Sequence, residues 1–197
     1  MSNLSGWSMV EVGILLMAAG QSSRFGSHKL LHRLSDGRPL ILHTLDYLLA
    51  SELPLLVIVK PEDHELHQLL ARHKVTYLIH QNAGEGLGSS IAFGVKQRRD
   101  WSAWLIALAD MPYISIETIL KVAGHAASDR IVQPHYQERT GHPVAFGKHF
   151  QSQLTALNKD CGAAEVIQAN LHRLISLSVE DENIQADVDC LNDLIKE

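Results

Sequence analysis

Four short stretches made almost wholly of apolar residues restrict this chain to a narrow set of folds. They lie at residues 12–17, 55–59, 75–79 and 104–107. Each is continuous and rich in Val, Ile and Leu, which is typical of strands buried on both faces of a parallel sheet. Amphipathic helical patterns at residues 39–50 and 62–73 lie between them. The resulting β-α-β-α-β order predicts an α/β fold with a mostly parallel central sheet.

The second half of the chain has a less regular pattern. It contains helix candidates at residues 116–126, 150–157 and 163–170, strand candidates at 131–134, 144–146 and 174–178, and a short closing helix. A length of 197 residues suits one domain with a continuous core. We therefore expect a single domain over residues 10–197, preceded by a short polar extension at residues 1–9.

Composition excludes several functional classes. A formal net charge of -5 argues against a general nucleic-acid binder, because such proteins place many Lys and Arg against phosphates. Cys161 and Cys190 are too few for a disulfide framework and are not spaced as a CxxC pair. The apolar run at residues 12–19 is too short to cross a bilayer. We expect a cytoplasmic protein that binds neither nucleic acid nor membrane.

The first loop, directly after the first predicted strand, combines small residues, hydroxyls and two cations. Its small residues allow backbone N–H groups to approach phosphate oxygens, Arg24 can bind two oxygens with its fork, and Lys29 supplies a point charge. The spacing is neither a Walker A loop nor GxGxxG. The pattern predicts a polyphosphate site, with a polar turn closing a βα unit as the equally simple alternative.

The second loop, at residues 82–90, contains three glycines and ends in two serines. Ser89 or Ser90 is placed to cap the next helix. Three glycines within five residues exceed what a cap needs, and they suit a backbone that wraps closely around a base or ribose.

The third loop places Asp110 at the tip of a predicted strand, just before Pro112. Magnesium is commonly held by one or two carboxylates together with substrate phosphates, so Asp110 is a metal-ligand candidate. The alternative is that Asp110 caps the helix that follows.

The twelve histidines show neither HExxH nor a compact Cys/His set, so most are expected to be surface residues. His142 differs because it lies in a Gly141-His142-Pro143 turn. Contact with a substrate and a merely exposed position remain equally open for it.

These motifs, in this order, resemble the MobA-like nucleotidyltransferases, and within them the molybdenum cofactor cytidylyltransferases, which have a GT-A-like, three-layer α/β/α fold. The resemblance covers nearly the whole chain. It rests on residues 16–20 with Ser22, Arg24, Gly26, Lys29 and Leu30, and on residues 86–90, 108–112, 141–143 and 160–163. The closing Asp187-Val188-Asp189 is similar to the start of the family's final motif.

The resemblance implies transfer of CMP from CTP to a molybdopterin-type cofactor, with release of pyrophosphate. The Ala18-Ala19-Gly20 start is similar to that of CTP users. The implied catalytic residues are Arg24, Lys29 and Asp110; the nucleotide-binding residues are Ala18, Ala19, Gly20, Arg24, Lys29, Gly86, Ser89, Ser90 and Asp110; the acceptor-binding residues are Gly141, His142 and Pro143; and Asp110 and Asp189 are the ligands of Mg²⁺. Ala164 stands where the family often has an arginine.

Two alternatives stay open, and a third is disfavoured. The first is a transferase of the same fold that uses another NTP or a sugar or polyol phosphate acceptor. The second is a catalytically idle module that binds the molybdenum cofactor and delivers it to a molybdoenzyme, which would then be a partner. The retained cations and aspartates argue against this second alternative: Arg24, Lys29, Asp110 and Asp189. A nicotinamide-dependent oxidoreductase is disfavoured because the dinucleotide glycine motif is missing.

Overall fold

The computed structural model describes residues 11–20, 29–158 and 162–188. In these ranges the strands are β1 (Val12–Met17), β2 (Leu55–Val59), β3 (Tyr77–Ile79), β4 (Ala103–Leu108), β5 (Ile131–Tyr136), β6 (Arg139–Thr140), β7 (Val144–Gly147) and β8 (Leu174–Ser178). The α-helices are α1 (Leu40–Ala50), α2 (His64–Arg72), α3 (Leu87–Gln97), α4 (Ile116–Gly124), α5 (Gln151–Thr155) and α6 (Ala164–Ala169).

The strands form one mixed sheet in the order β3-β2-β1-β4-β7-β5-β6, with β8 also paired to β5. The first four are mutually parallel, β7 is antiparallel to both β4 and β5, and β8 is parallel to β5. β1 lies between β2 and β4, and its last residue, Met17, pairs with Leu108. The loops that follow β1 and β4 therefore begin side by side at one edge of the sheet.

The core lies on both faces of the sheet. Along β1, Ile14 and Leu16 contact one apolar cluster, which includes residues of α1, α2 and α4. Leu15 and Met17 contact a second cluster, which includes residues of α3, α5 and α6. Successive residues of a strand point to opposite faces, so a continuous apolar run is what a strand between two helical layers needs. The predicted three-layer α/β/α architecture is confirmed.

Most predicted elements are present with small shifts at their ends. β1, β2 and β8 have the predicted bounds, whereas β3 is two residues shorter than predicted. The helix predicted at residues 150–157 is a 3-10 turn, Lys148–Phe150, followed by α5. The predicted extension at residues 1–9 lies outside the described residues. No helix in the described ranges is long and apolar enough to span a membrane.

Candidate active site

Two residues predicted from separate loops meet at the carboxyl edge of the sheet. Lys29 opens a 3-10 turn, Lys29–Leu31, and donates from Nζ to Oδ2 of Asp110 at 2.8 Å. The Lys29 side chain is 9% exposed and that of Asp110 is 28% exposed. The pair is therefore less screened by water than an exposed ion pair, and the attraction between its two charges is correspondingly stronger.

Asp110 does not cap the following helix. α4 begins at Ile116, and its cap is Ser115, whose Oγ accepts from the backbone N–H of Thr118. Asp110 lies two residues beyond the end of β4, and within the described residues no hydrogen bond reaches its Oδ1. The capping alternative is thus wrong, and one carboxylate oxygen points to no described protein donor.

A C-terminal strap, residues 181–188, crosses this edge and is hydrogen-bonded at several points. Asp181 accepts from Ser115 N at 2.8 Å and from Thr118 Oγ1 at 2.9 Å. Farther along the strap, Val188 N donates to the backbone oxygen of Asp110 at 3.0 Å. The strap therefore ends beside the Lys29–Asp110 pair. Asp189, the predicted second metal ligand, lies just outside the described residues, as does Arg24.

The predicted Gly141-His142-Pro143 turn lies against the same strap. The backbone N–H of His142 donates to the carbonyl of Ile184 at 2.8 Å. A Cβ at Gly141 would overlap that carbonyl, so the contact requires glycine. The peptide bond between His142 and Pro143 is cis.

The His142 ring is an uncharged group among carboxylates. Burial lowers the pKa of His142, while the backbone of Ile106 and the negative charges of Asp110 and Asp187 oppose this shift. Its Nδ1 is buried, and no hydrogen-bond partner for it lies within the described residues. A buried polar atom without a partner calls for an explanation, such as a bond to a substrate or to a water. Sequence reasoning did not anticipate that Asp187 would lie close enough to influence this ring.

A cavity of about 370 Å³ lies between the first and second loops. It is lined by Met17, Ala19, Gly20, Ala83, Gly84, Gly86, Leu87 and Ser90. This size is in the range of pockets that hold small molecules. The structure thus places four of the predicted nucleotide-binding residues, Ala19, Gly20, Gly86 and Ser90, around one cavity. Ala18 is buried behind it in the core, and Ser89 does not line it.

Neither serine of the second loop caps α3, so that prediction was wrong. The N-cap is Gly86, with φ 110° and ψ -179°, and the helix begins at Leu87. This backbone conformation is essentially restricted to glycine, which moves the start of the helix ahead of both serines. The first backbone N–H groups of any α-helix lack intrahelical acceptors. In α3 these groups belong to a turn whose residues Leu87 and Ser90 line the cavity. Such an arrangement is suited to an anionic group.

Comparison with known proteins decides the family. Residues 14–174 match the MobA-like NTP transferase domain. The chain belongs to this family. It is therefore a nucleotidyltransferase, which is an enzyme class that acts on nucleoside triphosphates, and members typically use a divalent metal.

One curated relative is the bifunctional protein GlmU of Buchnera aphidicola subsp. Schizaphis graminum, which is 27% identical over 115 residues. The match covers 57% of this chain but only 24% of GlmU, so the chain spans about a quarter of the length of that relative.

Solved structures share the fold across nearly the whole chain. Rv0371c from Mycobacterium tuberculosis H37Rv has a TM-score of 0.85 at 20% identity and covers 97% of this chain and 100% of its own. The same protein in complex with manganese has a TM-score of 0.79 at 19% identity, covering 94% and 97%. A nucleotidyl transferase from Methanothermobacter thermautotroptrophicus has a TM-score of 0.81 at 19% identity, covering 94% and 95%.

Proposed function

We propose that this nucleotidyltransferase moves CMP from CTP onto a molybdopterin-type cofactor, forming molybdopterin cytosine dinucleotide and pyrophosphate. The observation that carries the proposal is the Lys29–Asp110 ion pair, which joins the phosphate loop to the metal-ligand candidate at the carboxyl ends of β1 and β4. The cavity lined by Met17, the last residue of β1, opens from the same edge.

The triphosphate is assigned to the first loop. Lys29 supplies an ammonium that is already oriented by Asp110, and Arg24 supplies a guanidinium that can bind two oxygens. The start of α3, whose first amides have no intrahelical acceptor, lines the cavity from the opposite loop. Together these groups neutralise the negative charge of a nucleoside triphosphate.

Asp110 and Asp189 are assigned as ligands of Mg²⁺. The described residues contain no cluster of three or more His, Cys, Asp or Glu side chains suited to a metal. Magnesium takes few protein carboxylates and completes its shell with phosphate oxygens and water, so two aspartates are a sufficient donor set. When bound, the ion supplies neutralisation of the developing charge on the phosphates.

The reaction requires little proton chemistry from the protein. A phosphate oxygen of the acceptor attacks the α-phosphorus, a new P–O bond forms, and the bond to the bridging oxygen of pyrophosphate breaks. The acceptor phosphate is already an anion, so no general base is needed. The chain contributes alignment of the two substrates and cations against the leaving group. Gly141, His142 and Pro143 form the acceptor side, where the uncharged His142 ring can hydrogen-bond a neutral part of the acceptor.

CTP is the proposed donor because the Ala18-Ala19-Gly20 start is similar to that of CTP users. A sugar or polyol phosphate is the second candidate acceptor. One observation favours it: Ala164, at the start of α6, cannot supply the cation that an arginine would.

The test is pyrophosphate release with each of the four NTPs in turn, Mg²⁺, and either molybdopterin or a panel of sugar and polyol phosphates. We expect release with CTP and molybdopterin and none with CTP alone. Release with GTP alone among the nucleotides would overturn the base assignment. Release only with a sugar or polyol phosphate would overturn the acceptor. Tight molybdopterin binding without any release would instead support delivery of the cofactor to a molybdoenzyme.

A further inference from the structure

A chain of hydrogen bonds connects the sheet to the second glycine loop, residues 82–90. The ring nitrogen Nε2 of His80 lies 2.9 Å from Oγ of Ser89, and that hydroxyl donates to Oε2 of Glu85 at 3.2 Å. The other carboxylate oxygen of Glu85 accepts from the side-chain amide of Asn82 at 3.2 Å. Sequence analysis identified neither His80 nor Glu85.

The chemistry of the groups fixes which group donates and which accepts in each of these hydrogen bonds. A carboxylate can only accept, so the single hydroxyl proton of Ser89 goes to Glu85. The Ser89 oxygen must then accept from His80, which requires a proton on Nε2 of the ring. Burial lowers the pKa of His80, while the charge of Glu85 opposes the shift and that of Lys96 adds to it. The ring is therefore a neutral imidazole that donates from Nε2.

His80 is a rigid anchor for the loop. It directly follows β3, and its backbone N–H donates to the carbonyl of Val59 in the neighbouring strand at 2.8 Å. The ring is buried and stacks on Phe93 of α3, with centroids 4.6 Å apart and an interplanar angle of 18°. Both the sheet and α3 therefore hold the ring in place.

Backbone hydrogen bonds order the loop as a 3-10 turn, Ala83–Glu85, and as the first turn of α3, and Gly86 joins the two. Gly84 and Gly86 carry no side chain that could pack, and Gly86 adopts a backbone conformation that other residues rarely reach. Adjacent helical residues point in different directions, and the two serines divide accordingly. Ser90 lines the cavity, whereas Ser89 is turned toward Glu85 and His80.

We infer that His80, Glu85 and Ser89 are positioning residues that hold the second glycine loop in the shape that binds the nucleotide. The inference rests on the proposed nucleotide site in the adjoining cavity. Without the hydrogen-bond chain, the loop occupies its binding shape for a smaller fraction of the time, and the apparent affinity for NTP falls by that fraction. The rate of transfer from bound nucleotide stays the same, because Lys29 and Asp110 lie on other loops.

Two substitutions break this chain of hydrogen bonds in different ways, and a third restores it. Ser89→Ala removes the central hydroxyl, and His80→Phe keeps a ring for stacking but removes the donor. His80→Gln returns an N–H donor near the position of Nε2. We expect Ser89→Ala and His80→Phe to raise the Kd and KM for CTP about tenfold at unchanged kcat, and His80→Gln to recover most of the affinity. Ser152→Ala, at an exposed serine on α5, is the matched control.

Hydrogen exchange of residues 82–90 in nucleotide-free protein gives a readout that does not depend on catalysis. Exchange should speed up in Ser89→Ala and His80→Phe and stay at the wild-type rate in Ser152→Ala. Folded variants with wild-type exchange and wild-type CTP affinity would overturn the inference. If the wild-type protein bound no NTP, the proposed function and the role of these residues in nucleotide binding would both fail. The exchange rates would still decide whether the hydrogen bonds hold the loop.

Discussion

Asp110 combines two demands that only a carboxylate meets. It holds the Lys29 ammonium at 2.8 Å, and it presents a second oxygen that no described donor contacts. Asp110→Asn keeps the shape but removes the negative charge, so we expect turnover with CTP and Mg²⁺ to fall at least about 100-fold. Pyrophosphate release at saturating substrates measures this effect. Asp46→Asn, at an exposed residue paired with Arg38, should keep wild-type turnover; an Asp110→Asn protein equally active would disprove the metal assignment.

Lys29 is expected to have opposite effects on the metal and on the nucleotide. In the nucleotide-free protein its ammonium lies against the proposed metal ligand, so a divalent ion meets a like charge there. Lys29→Met should therefore bind Mn²⁺ roughly tenfold more tightly without nucleotide, yet bind CTP more weakly because a phosphate contact is lost.

Electron paramagnetic resonance of free Mn²⁺ follows the first effect and calorimetry with CTP the second. The control is Lys121→Met, which removes an exposed lysine from α4. Weaker Mn²⁺ binding in Lys29→Met than in this control would show that Lys29 does not oppose the metal.

The elements of this fold were predictable where one local signal dominates. β1 and β2 are continuous apolar runs bounded by small or polar residues, so both ends were readable from the sequence. The start of α3 was not, because it depends on the backbone conformation of Gly86, and a glycine-rich loop does not reveal which glycine has a positive φ. A serine near such a loop is an equally good cap on composition alone, and only the folded loop shows Ser89 bonded to Glu85 instead.

Gly86 gives a direct test at this scale. Its φ of 110° is one that L side chains rarely adopt, so Gly86→Ala should reduce the free energy of unfolding by about 1–3 kcal/mol. Urea denaturation without nucleotide measures the loss. Gly124→Ala, where the new methyl group meets nothing within 4 Å and φ is ordinary, should cost much less or stabilise the protein. Equal free energies of unfolding in the two variants would show that the backbone conformation of Gly86 does not require glycine.

At the scale of the whole molecule, the site is assembled from segments that are far apart in the chain. Lys29 and Asp110 are 81 residues apart, and the strap that contacts Asp110 and His142 comes from residues 181–188. Motif order predicted that these segments would share a function, but no local pattern reveals that Val188 donates to the Asp110 backbone or that Asp187 lies near His142. Those contacts depend on how β7 and β5 return across the sheet, which sequence periodicity does not encode.

The protein should also lose stability in mild acid, because two of its histidine side chains, His80 and His142, are partly or fully buried. Burial lowers the pKa of both His80 and His142, against the opposing charges of Glu85 and of Asp110 and Asp187 respectively. In the unfolded chain a histidine titrates near pH 6.5. As the pH falls through that value, the unfolded state takes up protons that the folded state does not, so the free energy of unfolding decreases until the folded-state pKa values are reached.

Urea unfolding at pH 7.5, 6.5 and 5.5 should show this decrease in the wild-type protein. The double variant His80→Gln with His142→Gln cannot take up these protons, so its stability should fall less over the same range. Replacing an exposed histidine instead, His172→Gln, should leave the wild-type slope intact. Identical slopes in the wild type and the double variant would mean that other groups control the acid response. The neutral state assigned to the His142 ring on the acceptor side would then lose its support.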